Sequence, residues 1–82
     1  MKATVAFVNP SRRRFAVLTE RGEYTNFLLL DSVELQEGEE VWGDFESTGA
    51  ETYTFEERGA FTVYAESVRC SAHDAASWVA GG

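Results

Sequence analysis

The sequence predicts a small all-β barrel of five or six antiparallel strands with a short C-terminal helix, on three observations. Short runs rich in β-branched and aromatic residues recur with turn residues between them. Within those runs apolar residues alternate with polar ones, the period of a strand with one face buried. Only the tail changes to helical spacing. Closing the sheet into a barrel also removes exposed strand edges, a liability in so small a β protein.

The first run, Ala3–Val8, ends at Asn9-Pro10-Ser11, a strong turn signal. Phe15–Glu20 follows, and Arg21-Gly22-Glu23 connects it tightly to Tyr24–Leu30, a hairpin in which Gly22 supplies a positive φ. Phe27-Leu28-Leu29-Leu30 is apolar on both faces, as expected of a strand covered on both sides. A helix over Asn26–Glu37 is the competing reading, short and poorly patterned around Asp31 and Ser32. Glu37-Gly38-Glu39 is another turn. Glu40–Glu46 then sets Val41, Gly43 and Phe45 against Trp42, Asp44 and Glu46. Ser47-Thr48-Gly49-Ala50 breaks the pattern and Thr52–Glu56 resumes it. Arg58-Gly59 reads as a hairpin turn, and Ala60–Val68 as the last and longest strand.

In the tail, Ser71 can cap free amides with Asp74 three residues on, Ala75, Ala76, Trp78 and Val79 form an apolar stripe, and Gly81-Gly82 ends it. A helix this short is unstable alone, so it is expected to dock Trp78 onto the barrel. The organisation is a barrel over residues 1–69 and a docked helix and tail over 70–82.

Eighty-two residues make one small domain, and 44% hydrophobic content is enough for a core. Fourteen acids against 7 bases give a net charge of −7, so the chain as a whole repels nucleic acid. Its bases are uneven, however: Arg12, Arg13 and Arg14 are consecutive and make a local cationic loop. Cys70 is the only cysteine, which excludes an internal disulfide. No apolar stretch is long enough for a membrane span and no signal-peptide pattern opens the chain, so a reduced, cytoplasmic setting and no membrane partner are expected.

The N-terminal half resembles a divergent cold-shock domain, an OB-like barrel. The resemblance rests on Lys2, Val5, Phe7 and Asn9, on Arg14-Phe15-Ala16-Val17-Leu18 where that family has Gly-Phe-Gly-Phe-Ile, and on Leu35-x-Glu37-Gly38-Glu39-x-Val41 before strand four. It implies binding of single-stranded RNA or DNA. This chain departs from the family pattern in several places. Val17 replaces the second phenylalanine, Phe7 stands where tryptophan is usual, and Leu28–Leu30 follow Phe27 without the family's histidine. Ala50–Ala60 reads as an extra hairpin. Each base stacked on an aromatic contributes about 1–3 kcal/mol, so fewer platforms imply weaker binding.

The implied site is Phe7, Phe15 and Phe27 as a stacking surface beside Arg12, Arg13 and Arg14 as phosphate contacts. The alternative is that the phenylalanines fill the core and the arginines are solvated or paired with glutamates. Trp42, Tyr53, Phe55 and Tyr64 likewise make either core or a protein-binding patch. Cys70 and His73 cannot complete a zinc site alone, and Glu34, Glu37, Glu39 and Glu40 lack calcium-loop spacing. No phosphate loop, nucleophile elbow or paired metal-ligand motif is present, so neither an enzyme nor a cofactor is expected. The expected function is a non-enzymatic binding module. It takes single-stranded nucleic acid weakly through the Arg/Phe surface or, having lost that, docks a protein partner on an acidic OB-like scaffold.

Overall fold

In the computed structural model, which describes residues 1–56 and 58–81, the strands are β1 (Lys2–Asn9), β2 (Arg14–Thr19), β3 (Tyr24–Leu29), β4 (Glu40–Trp42), β5 (Gly49–Phe55) and β6 (Gly59–Cys70), followed by helix α1 (Ala72–Ala80). They close a barrel in the order β1-β2-β3-β6-β5-β4. Every pairing is antiparallel. Two meanders, β1-β2-β3 and β4-β5-β6, are joined where β1 meets β4 and β3 meets β6. A single 3-10 turn at Pro10–Arg12 links β1 to β2, with the proline at its start where no amide is needed.

The strand reading of Phe27–Leu30 holds through Leu29, and no helix forms between Asn26 and Glu37. Phe27 and Leu29 point into the barrel, whereas Leu28 is half-buried and Leu30 exposed. Both faces are apolar because the inner residues fill the core and the outer ones form part of a surface.

One strand is shorter than the alternation predicts. Glu40–Glu46 has strand period throughout, yet β4 stops at Trp42. Gly43 lies against the Tyr53 ring so closely that a Cβ there would sit 2.7 Å from Cδ1. Phe45 then turns into the barrel mouth, where its carbonyl accepts a 2.7 Å hydrogen bond from Thr25 Oγ1. The period-2 pattern thus records burial of Val41 and Phe45, but Phe45 reaches the core from a loop.

The barrel interior holds Val5, Phe15, Val17, Phe27, Leu29, Val41, Phe45, Tyr53, Phe55 and Val63. Its aromatics touch in sequence: Phe15 stacks on Phe27 at 5.7 Å, Phe27 meets Tyr53 edge-on at 5.2 Å, and Phe45 meets Tyr53 at 4.8 Å. Such pairs add about 0.5–1.5 kcal/mol beyond burial.

Helix α1 starts as the sequence predicts, with the Asp74 amide donating to Ser71 Oγ at 3.1 Å and Gly81 ending it in the left-handed region. It lies on the outer face of β1, β2 and β3. Ala75 and Val79 pack on Ala16, flanked by Phe7, Tyr24, Cys70 and Trp78. Ala16 is an outward residue of β2 that is nonetheless fully buried. Its small side chain lets the helix approach the sheet.

Candidate functional site

The six residues of the expected nucleic-acid surface do not share one. Phe15 and Phe27 are 1% and 0% exposed and face each other inside the barrel, where no base can reach them. They belong to the core because β2 and β3 place them on the inner phase opposite one another in register. Phe7 is on the outer face, half-buried and stacked on Tyr24 at 5.6 Å beside helix α1. A face the stacking reading needs bare is covered.

The arginine run sits at the far end of that helix. Arg14 Nη1 donates to the Trp78 carbonyl at 2.8 Å, and its guanidinium carbon lies 4.9 Å from the Trp78 ring centroid. Arg12 runs against Gly81, where an added Cβ would meet its Nε at 2.9 Å. Asn9 Nδ2 donates to the Val79 carbonyl at 2.8 Å. The last carbonyls of a helix lack intrahelical partners and carry the negative end of its dipole, so Asn9, Arg12 and Arg14 form its C-terminal seat. Arg13 is exposed, with φ 56° in the left-handed region.

The second-half aromatics divide between core and surface. Tyr53 and Phe55 are buried, whereas Tyr64 is 45% and Trp42 37% exposed. Tyr64 sits in register between Leu28 on β3 and Ala50 on β5. Beside that row the Leu30 amide donates to the Thr62 carbonyl, and Thr62 faces Thr52. Leu30 is 52% exposed. The outer wall across β3, β6 and β5 is therefore uncharged along Leu28, Tyr64 and Ala50, and along Leu30, Thr62 and Thr52. Helix α1 packs against β1, β2 and β3, where it meets Tyr24 and, on β6, Cys70, and leaves Leu30 and Tyr64 exposed.

At the barrel mouth the buried Tyr53 hydroxyl has no hydrogen-bond partner among the described residues. Burial pushes its ionisation well above the usual tyrosine value, with Glu51 and Asp44 adding to the effect. Asp44 itself is held below the usual carboxylate range by the Glu46 amide and the Ser47 hydroxyl. An orphaned buried hydroxyl costs about 1–3 kcal/mol. Tyr53→Phe is accordingly expected to raise stability by about 1 kcal/mol, a gain of about 4–8 °C in Tm for a domain this size. Tyr53 stays protonated in the fold and ionises near pH 10 when unfolded, so its contribution is intact below that pH and is lost as pH rises above it. The phenylalanine variant should lack this part of the alkaline loss. A thermal melt series from pH 7 to about 11 checks both; a lower Tm at neutral pH would mean the hydroxyl has a partner in solution.

Cys70 is half-buried with Sγ 3.5 Å from Ser67 Oγ, and His73 is exposed on the helix. In the acidic turn, Glu39 pairs with Arg58 at 3.2 Å and Glu40 with Lys2 at 3.1 Å. Among the described residues no His, Cys, Asp and Glu side chains cluster as a metal site, and no helix is long and apolar enough to cross a membrane. No family model, curated protein or solved structure matches this chain.

Proposed function

We propose that this barrel is a non-enzymatic protein-interaction module that uses the bare wall of β3, β6 and β5. One observation carries the reading. Helix α1 packs on the outer face of β1, β2 and β3 and draws Phe7, Arg12 and Arg14 into its seat, while Leu30 and Tyr64 stay exposed and Leu28 half-buried on the wall beyond it. An exposed aromatic flanked across the strands by Leu28 and Ala50 suits a protein surface, where tyrosine is a frequent anchor. The net charge of −7 favours a protein over a phosphate backbone.

A second reading, weak binding of single-stranded RNA or DNA, rests on Arg12 and Arg13, which are exposed beside Arg14 in the loop between β1 and β2. A labelled mixed-sequence oligonucleotide titrated at low and moderate salt separates the two. The expected result is no saturable binding at either salt; saturable binding that weakens steeply with salt and is lost in the Arg12→Glu, Arg13→Glu double variant would replace the protein reading. In parallel, a partner captured by the wild type should be kept by that variant and lost by the Leu30→Glu, Tyr64→Glu double variant.

A further inference from the structure

Strand β5 pairs with β6 along its whole length but with β4 only at Thr54 and Phe55. Beyond Trp42 the chain leaves the sheet for the barrel mouth, so residues 49–53 have no strand beside them on the β4 side. Antiparallel alternation decides which backbone groups this leaves open. The Glu56 amide, just past β5, donates to the Glu40 carbonyl on that side at 3.3 Å. Two-residue steps back along the strand turn Thr54, Thr52 and Ala50 the same way. Thr54 meets Trp42 there, while Thr52 and Ala50 meet no backbone partner among the described residues. Both are exposed.

The charge beside this edge is negative. Glu51 lies on the strand itself, and Asp44 stands in the loop that follows β4. The third acid of this region, Glu46, is already matched by Arg21 at 2.8 Å.

We propose that the β5 edge at Ala50 and Thr52 accepts an extended, lysine- or arginine-bearing segment of another protein as an added strand. Backbone hydrogen bonds to Ala50 and Thr52 supply the pairing, and the segment's cations face Glu51 and Asp44. Open strand edges recruit strands because their unpaired N–H and C=O groups are a template. A second copy of this chain is a poor occupant, since it would bring two bodies of charge −7 together at the same acidic edge. The inference rests on the protein-binding reading and names its mode and partner chemistry.

The test uses a labelled peptide of alternating lysine and valine, its glutamate counterpart, and the lysine peptide N-methylated at alternate amides. Binding is read by fluorescence anisotropy and by amide hydrogen exchange on the intact chain. The lysine peptide should bind and slow exchange at Ala50 and Thr52, and the N-methylated and glutamate peptides should bind at least about tenfold more weakly. Thr52→Pro removes the amide that points away from β6, a position where a strand tolerates proline, and should cause a similar loss. If that variant does not fold, the N-methylated peptide tests the same hydrogen bonds without altering the protein. Equal binding of the N-methylated peptide, or no binding of the lysine peptide, overturns the inference, as does a concentration-dependent dimer that Thr52→Pro abolishes. Peptide binding indifferent to Thr52→Pro but lost with Leu30→Glu, Tyr64→Glu overturns strand addition and leaves the interaction module standing. Oligonucleotide binding without peptide binding overturns both.

Discussion

Phe27→Ala is expected to cost about 3–5 kcal/mol, the range for truncating a buried phenylalanine. Domains of this size rarely hold more than the lower part of the usual 5–15 kcal/mol, so much of the margin goes with one side chain. The loss has three sources on the structure. The ring is fully buried, it stacks on Phe15, and it meets Tyr53 edge-on. At about 4–8 °C per kcal/mol, Tm should fall by at least about 12 °C. Denaturant melts of the variant against wild type measure this. A surface phenylalanine that stacked on bases would behave oppositely, weakening oligonucleotide binding with Tm nearly unchanged.

Ala16→Glu is expected to release helix α1 while the barrel persists. Ala16 is fully buried between β2 and the helix, touching Ala75 and Val79. An unpaired carboxylate there cannot stay ionised and dry, so the helix lifts and lets water reach the charge. The cost is bounded by what docking contributes. Burying Val79 alone is worth about 1.5–3 kcal/mol, and the contacts of Trp78 and Arg14 add to it, so a loss of about 3 kcal/mol follows. Circular dichroism should show the helical signal falling with strand signal retained, and Trp78 emission should shift to the red. A barrel that unfolds together with the helix would show instead that α1 is integral to the core.

The same two residues mark how far the sequence could be read. The antiparallel barrel, the hairpin at Gly22, the long last strand and the Ser71 cap were legible from turn residues, period-2 alternation and the capping pattern, with the strand number left at five or six where the structure has six. The inner phase of β2 was not. Arg14-Phe15-Ala16-Val17-Leu18 is apolar at every position after the arginine: Phe15 and Val17 fill the barrel, Ala16 seats a helix and Leu18 lies exposed on the outer face. With apolar residues on both faces, alternation no longer says which side is inside, and Phe15 reads equally well as platform or core. The arginine run was ambiguous for a related reason. Its role is set by a helix end 64 residues away in the chain, where Arg14 meets Trp78, and no local pattern announces that. A small residue on the outer phase of a strand, followed by a late amphipathic tail, was the available hint. The open edge of β5 was hidden by Phe45, whose burial imitates a longer β4.

The division of the barrel into two meanders has a consequence for how the chain folds. Each is a three-stranded sheet whose barrel-facing side is apolar and, without the other half, open to water. Phe27 belongs to the first and Tyr53 to the second, so the central aromatic contact exists only when both are present. The β1–β4 and β3–β6 pairings that unite them join residues far apart in sequence, so chain entropy is spent before either half gains its core. Neither half can hold a native interior by itself. The barrel therefore gains or loses its structure as one cooperative transition, and a cut between the meanders deprives each half of the central aromatic contact.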